Sequence, residues 1–309
     1  MREMVHSRFD VKSGVEVRAL KFLGLTRNET SSMMGRAAFA CAIALCAGSA
    51  VSTAQAQNGG FPGGARFGGL SDCPDPPTAK NVPYDGQFTF VRLKYKGGPG
   101  QCYYRGEPTW AHGYGYAENG TAEMNLMRIV GEISVMRPHV DATNVIAIDD
   151  PELFRYPVAF MVEAGYATLT DKEVLALRRY LLRGGFLIID DTREDSFRGQ
   201  SGWANMAAML QVVLPDLHPI DLDVTHPIFH AFFDIPSFDI VKQYYDQGPP
   251  VFRGIFEDND PKKRLMVMIN FNTDISNFWE YSALGFRPME ESNEAYELGV
   301  NYLFYALTH

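Results

Sequence analysis

Two kinds of apolar pattern alternate along this chain from about residue 82 onward. Short apolar runs, typical of strands, cover 88–93, 144–148, 157–162, 186–189, 217–222, 251–256 and 265–270. Longer segments carry apolar residues at helical spacing and predict helices over 123–136, 170–184, 203–213 and 295–307. Thr170 and Glu173 form a capping-box pattern at the start of the second helix, and Gly184 follows its last apolar position.

Several of the strand-like runs are apolar at every position, which is typical of strands covered on both faces. Strands that alternate with helices predict right-handed crossovers and a mostly parallel sheet. The exception is the pair 251–256 and 265–270, which flanks the turn-rich segment 257–260 and predicts a hairpin. The sequence therefore predicts an α/β fold.

Carboxylates follow three of the predicted strands, at the edge where parallel sheets bind ligands. An aromatic, Gly-rich loop at 110–116 is a further candidate, either for stacking on a sugar or for packing on its own domain. The ligand-binding candidates from these two features are Asp150, Glu163, Asp190, Asp191, Trp110 and His112.

Two segments could supply a metal site. The first is the acidic stretch 190–195, whose oxygens suit a hard divalent cation but which also suits a capped, solvated turn. Neighbouring residues of a strand point in opposite directions, so at most one of Asp190 and Asp191 is expected to face a common pocket. The second is His226 and His230, four residues apart, which face one metal on a helix but also suit a structural turn beside buried aromatic residues.

The composition disfavours two classes of binding partner. The 309 residues carry a formal net charge of −9 and are 46% hydrophobic, values that are ordinary for a globular protein. Nucleic acid is disfavoured as a partner because phosphate binding needs a basic surface, and anionic lipid is disfavoured for the same reason.

The N-terminal region resembles a secretory signal. Met33 or Met34 begins a segment with one arginine, an apolar run at 37–47 and a small-residue site that ends at Ala56. The run is too short to span a bilayer, and its alternative interpretation is an amphipathic or buried helix. We expect cleavage after Ala56 and a periplasmic or secreted protein with a Gly/Pro-rich linker at 57–81 and one domain at 82–309. Cys73 and Cys102 then remain, either as a disulfide or as free thiols.

Longer motifs place the chain beside a known family. They are the segments 90–95, 150–157, 177–191, 225–230, 298–301 and 305–309. The chain from about Gln87 to His309 resembles the bacterial domain of unknown function family 4159. That resemblance implies the class I glutamine amidotransferase-like superfamily, with a flavodoxin-like three-layer fold.

The resemblance also limits the chemistry. Amidotransferases of that superfamily place a nucleophilic cysteine on a tight turn after a central strand, and here the corresponding strand 186–189 leads into Asp190 and Asp191. Glutamine hydrolysis by a thiolate is therefore not expected. Our first hypothesis is a non-catalytic module of the cell envelope that binds a small ligand or an envelope protein. The alternative is a metal-assisted hydrolase that combines Asp190 or Asp191 with His226 or His230 around a divalent cation.

Overall fold

The computed structural model describes residues 73–76, 78–96, 107–114, 121–194, 202–239 and 248–309. All of them belong to one compact unit, Gly69–His309. The predicted signal sequence at 1–56 and the first part of the predicted linker lie outside the described residues, so export and cleavage remain predictions.

The described residues form a mixed α/β fold around a seven-stranded sheet. Its order is β2-β1-β3-β4-β7-β6-β5. The strands are β1 (Val91–Lys94), β2 (Asn144–Ala147), β3 (Val158–Val162), β4 (Phe186–Thr192), β5 (Ile220–Asp221), β6 (Val251–Phe256) and β7 (Leu265–Phe271). Five neighbouring strands pair in parallel, in the order β2, β1, β3, β4 and β7, whereas β6 is antiparallel to β7 and to β5. The predicted α/β class, the mostly parallel sheet and the hairpin are confirmed.

Both faces of the central strands are buried, which explains their continuous apolar sequence. Phe160 and Ile188 belong to the core on one face, and Met161 and Ile189 to the core on the other. Successive residues of a strand point to opposite faces, so a strand covered on both sides needs an apolar residue at every position.

Five α-helices in the described part of the chain cover these faces. They are α1 (Thr121–Ile133), α2 (Asp171–Leu182), α3 (Gly202–Val213), α4 (Ile275–Tyr281) and α5 (Met289–Thr308). Apolar residues of α1, α4 and α5 pack on one face of the sheet, and those of α2 and α3 on the other. Among the described helices, none combines the length and the apolar character that crossing a bilayer requires.

Local signals predicted α2 well. Thr170 accepts a hydrogen bond from the Glu173 amide at 3.3 Å, and the Glu173 carboxylate accepts one from the Thr170 amide at 2.8 Å. The predicted capping box is therefore confirmed. Gly184 follows the helix with φ of +107°, a conformation that side chains rarely adopt. In contrast, α5 begins at Met289 instead of 295, because its first turn is polar. The short α4 was not predicted, although Ile275, Phe278 and Trp279 stand at helical spacing.

Candidate functional site

Three strands direct ionisable side chains to one edge of the sheet. His112 lies in the turn after the 3-10 helix Thr109–Ala111, in the segment that follows β1 along the chain. Glu163 follows β3 directly, and Asp191 lies within β4. Because β1, β3 and β4 are neighbours in the sheet, these residues meet beyond its carboxyl ends. The chain order reverses between β1 and β3, and such switch points are the usual ligand-binding crevices of open α/β sheets.

We define the carboxyl-edge site as His112, Glu163, Asp191 and Arg193. The Nδ1 atom of His112 lies 3.3 Å from Oε1 of Glu163 and 3.2 Å from Oδ2 of Asp191. One ligand atom from each of these three residues lies within 4.8 Å of the others, and within the described residues they form the one group of three metal-ligating side chains this close together.

Arg193 contacts both carboxylates of the site. Its Nη1 donates to Oδ1 of Asp191 at 2.6 Å, and its Nη2 donates to Oε1 of Glu163 at 3.2 Å. Both carboxylate side chains are only 2% exposed, whereas those of Arg193 and His112 are 13% and 24% exposed. The cationic groups therefore lie between the buried carboxylates and solvent.

Both carboxylate residues have unusual backbone conformations. Glu163 has φ of 51° and ψ of 37°, and Asp191 has φ of 53°, which are left-handed values uncommon for residues with side chains. The pairing of β4 with β7 shifts register between Ile189 and Thr192, so Asp191 occupies a β-bulge. Such conformations cost about 1–3 kcal/mol each and are concentrated at functional sites.

The bulge gives Asp190 and Asp191 different partners. Asp190 is fully buried and accepts hydrogen bonds from the Asn270 side chain and from the Ser276 amide, each at 2.9 Å. Asn270 in turn accepts a hydrogen bond from the Tyr302 hydroxyl at 3.0 Å. Asp190 thus ties β4 to β7, α4 and α5, and of the two aspartates only Asp191 faces His112.

The local electrostatics follow from burial and from the excess of carboxylates. Burial alone would lower the pKa of His112, but the Asp191 and Glu163 carboxylates raise it well above its ordinary value. Burial and the neighbouring Glu163 raise the pKa of Asp191. Burial, aided by the charge of Asp274, raises the pKa of Asp190 to about 7. The buried carboxylates therefore favour a positively charged group beside them.

A family model shows where this architecture belongs. The sequence-family model described as "Domain of unknown function (DUF4159)" matches residues 89–307. The chain belongs to the DUF4159 family. The match includes every residue of the carboxyl-edge site. No curated protein matches the sequence.

Two other candidates lie elsewhere in the DUF4159 domain. Asp150 accepts a hydrogen bond from the Glu152 amide at 2.9 Å and caps the short helix Pro151–Arg155 after the edge strand β2. Trp110 is only 2% exposed and packs in the core that contains β1 and β3, with its ring centroid 6.3 Å from that of Tyr114. The aromatic loop therefore packs on its own domain at Trp110 and presents His112 to the carboxylates. Residues 115 and 116 of that loop are outside the described residues.

The two histidines that were predicted as metal ligands, His226 and His230, lie at the opposite end of the sheet. The ring centroid of His226 is 5.6 Å from that of Phe256, which pairs with Leu265 at the start of β7. Asp190 binds Asn270 near the end of β7, about 17 Å further along at the usual strand rise.

The structure therefore corrects the predicted pairing of Asp190 or Asp191 with His226 or His230. Pro227 starts a 3-10 turn in which the Ile228 amide donates to His226. His230 ends the same turn, and its Nδ1 lies 2.6 Å from Oδ1 of Asp234. His112 is instead the histidine that lies beside Asp191.

Sequence reasoning missed two arginines that shape the site. Arg193 lies within the acidic stretch 190–195, where the carboxylates outnumber it. Arg92 of β1 is two residues from the core residue Phe90, so the two side chains point to the same face of the sheet. An arginine at such an inward position was the signal that could have found it. It is fully buried and paired with Glu123 of α1.

Proposed function

We propose that this DUF4159 protein is an exported, non-catalytic module that binds a small ligand or an envelope partner at the carboxyl-edge site. The observation that carries the proposal is the convergence of His112, Glu163, Asp191 and Arg193 at a switch point of the sheet. Two of these residues adopt strained backbone conformations, which persist where the surrounding structure over-determines them.

The side chains at the strand ends favour binding over amidotransferase chemistry. Glutamine hydrolysis needs a thiolate, and carboxylates occupy the strand ends where a nucleophile would stand. Cys73 is the one cysteine among the described residues, and it is in a disulfide, so it offers no thiolate. The order β2-β1-β3-β4-β7 corresponds to the flavodoxin-like order and supports, as a proposal, the amidotransferase-like superfamily without its activity.

Export is part of the proposal. The signal-like segment ending at Ala56 supports it, and so does the disulfide at Cys73, because disulfides persist mainly in oxidising compartments. N-terminal sequencing of protein recovered from the periplasm or the medium tests this part. A first residue of Gln57 is expected, and a chain that still begins at Met1 would show that the segment is not a signal.

Native mass spectrometry detects a retained ligand whatever its chemical identity. The native mass of the mature exported protein is compared with its denatured mass, and the native mass is expected to be higher by the mass of the bound ligand. Asp191→Asn and Glu163→Gln should lose this extra mass. Asp150→Asn, at the same edge but outside the site, should keep it. Equal retention in all variants would place the ligand elsewhere.

A metal-assisted hydrolase is the second candidate function. The observation that favours it is the approach of His112 Nδ1 to carboxylates from two strands, since a metal held there could lower the pKa of a bound water. Hydrolysis of p-nitrophenyl acetate and p-nitrophenyl phosphate is measured with and without added Zn²⁺ or Mn²⁺. Metal-dependent turnover that His112→Gln abolishes would favour the hydrolase over the non-catalytic module.

A further inference from the structure

We infer that the carboxyl-edge site holds one divalent transition-metal ion, Zn²⁺ or Mn²⁺, through Nδ1 of His112, Oε1 of Glu163 and Oδ2 of Asp191. The inference rests on the proposed function, because it names the class of ligand that the same site binds. The nitrogen ligand is His112. His226 and His230, which the sequence suggested for this role, lie at the other end of the sheet.

The two distances from His112 Nδ1 fit coordination of one ion. Ligand atoms lie about 2.0–2.2 Å from Zn²⁺, so two neighbouring ligands of one ion lie about 2.9–3.5 Å apart. The two distances from His112 Nδ1, 3.3 Å to Glu163 and 3.2 Å to Asp191, fall in that range.

Arg193 is compatible with a bound ion. Its Nη1 donates to Oδ1 of Asp191, whereas the oxygen closest to His112 is Oδ2. Its Nη2 donates at 3.2 Å to Oε1 of Glu163, which keeps a further lone pair for an ion. The carboxylate of Asp191 can therefore bind a metal with one oxygen and keep its hydrogen bond to Arg193 with the other. Hydrogen-bonded partners of this kind orient metal ligands and tune their affinity.

The donor set selects the class of metal. The imidazole nitrogen suits first-row ions such as Zn²⁺, and the two carboxylate oxygens suit both Zn²⁺ and Mn²⁺. Ca²⁺ prefers six to eight oxygen ligands, and Mg²⁺ prefers oxygens and several waters. Zn²⁺ and Mn²⁺ are therefore expected to bind more tightly than either of the hard cations.

The ligands are held on rigid elements. Glu163 and Asp191 are fixed by the ends of two central strands, and the backbone of His112 is held by Arg92 from β1. A site on such supports loses little conformational freedom when it binds an ion. The side chains of Glu163 and Asp191 are only 2% exposed, so the ion would add to the charge compensation that Arg193 gives them.

Isothermal titration calorimetry of the metal-stripped full chain tests the inference. Zn²⁺, Mn²⁺, Mg²⁺ and Ca²⁺ are titrated separately. We expect one Zn²⁺ per chain and at least roughly 100-fold weaker binding of Mg²⁺ and Ca²⁺. His112→Gln, Glu163→Gln and Asp191→Asn should each weaken Zn²⁺ binding at least about tenfold. His230→Gln should leave it unchanged, because that residue pairs with Asp234 at the other edge.

A second measurement covers variants that fail to fold. In wild-type protein, bound Zn²⁺ should protect His112 from diethyl pyrocarbonate while His230, 33% exposed, still reacts. Wild type that binds neither Zn²⁺ nor Mn²⁺, or equal reaction of His112 with and without Zn²⁺, would overturn the inference. If the native-mass experiment still shows a ligand that Asp191→Asn loses, the binding module stands and only the metal is wrong.

Discussion

The guanidinium of Arg92 donates a hydrogen bond to the carbonyl oxygen of His112, with Nη1 and O 2.5 Å apart. The same nitrogen donates to the Trp110 carbonyl at 3.2 Å, and Nε pairs with the Glu123 carboxylate. Arg92 and Glu123 are fully buried. A buried arginine in β1 therefore fixes the backbone that presents His112, and connects the candidate site to α1.

Replacing Arg92 with leucine should destabilise the protein strongly. The change leaves Glu123 buried without its partner, and breaking a buried pair in this way costs about 3–5 kcal/mol. Urea denaturation of wild type and Arg92→Leu measures the loss. A loss below about 1 kcal/mol would show that the pair is not a structural element of the core.

The double variant Arg92→Leu/Glu123→Leu separates stability from positioning. Because both charges are removed, it should regain much of the stability that the single variant loses. The Trp110 and His112 carbonyls still lack their donor, so the His112 imidazole signals in NMR spectra should move from their wild-type positions. Unchanged His112 signals would contradict the positioning role of Arg92.

Asp274 is expected to combine a favourable cap with an unfavourable charge. It accepts a hydrogen bond from the Asn277 amide at 3.0 Å and caps α4, while burial and the nearby Asp191 raise its pKa to about 6. Asp274→Ala removes the charge and the cap together, so it should be about 0.5–2 kcal/mol less stable than Asp274→Asn, which keeps the cap. Asp274→Asn keeps an acceptor without the charge, so at pH 8 it should be at least as stable as wild type. Thermal unfolding at pH 8 compares the three proteins.

Glu294 should make stability fall as pH rises. Neither of its carboxylate oxygens has a hydrogen-bond partner in the described structure, the residue is 6% exposed, and burial raises its pKa to about 7. The folded state then holds the proton more tightly than the unfolded state between about pH 4.5 and 7, so stability is lost across that window.

The Glu294→Gln variant tests this pH dependence. Relative to wild type, its stability should increase by up to roughly 3 kcal/mol between pH 4.5 and 8. Chemical denaturation at several pH values measures the difference. Glu290→Gln, at an exposed position in the first turn of the same helix, is the control and should change the profile little. Parallel profiles for wild type and Glu294→Gln would contradict the prediction.

Gly165 should not tolerate a side chain. A Cβ atom there would lie 2.6 Å from the carbonyl oxygen of Gly202 at the start of α3. Gly165→Ala should therefore cost about 1–3 kcal/mol, because backbone must move. Gly131→Ala in α1 is the matched control, since its Cβ would lie 3.4 Å from Val140 and alanine favours a helix by about 0.5–1 kcal/mol. Thermal unfolding should show shifts of opposite sign.

The sequence predicted the elements whose signals are local. Thr170 and Glu173 begin α2 and Gly184 follows it, because capping groups and left-handed glycines act within a few residues. Continuous apolar runs predicted the buried strands, since burial on both faces leaves no polar position. The carboxyl edge was also predictable, because parallel strands bring their ends, and with them Glu163 and Asp191, to one side.

Tertiary structure decided which of these residues act together. The spacing of His226 and His230 suggested one helical face, but Pro227 starts a 3-10 turn that packs on Phe256 at the opposite edge. His112 lies beside Asp191 in a turn that Arg92 holds from inside the core. A β-bulge then separates Asp191 from Asp190. The contacts of His112 with Asp191 and of His226 with Phe256 join residues far apart in the chain, so the sequence alone determined the scaffold and its functional edge, and long-range packing selected the site.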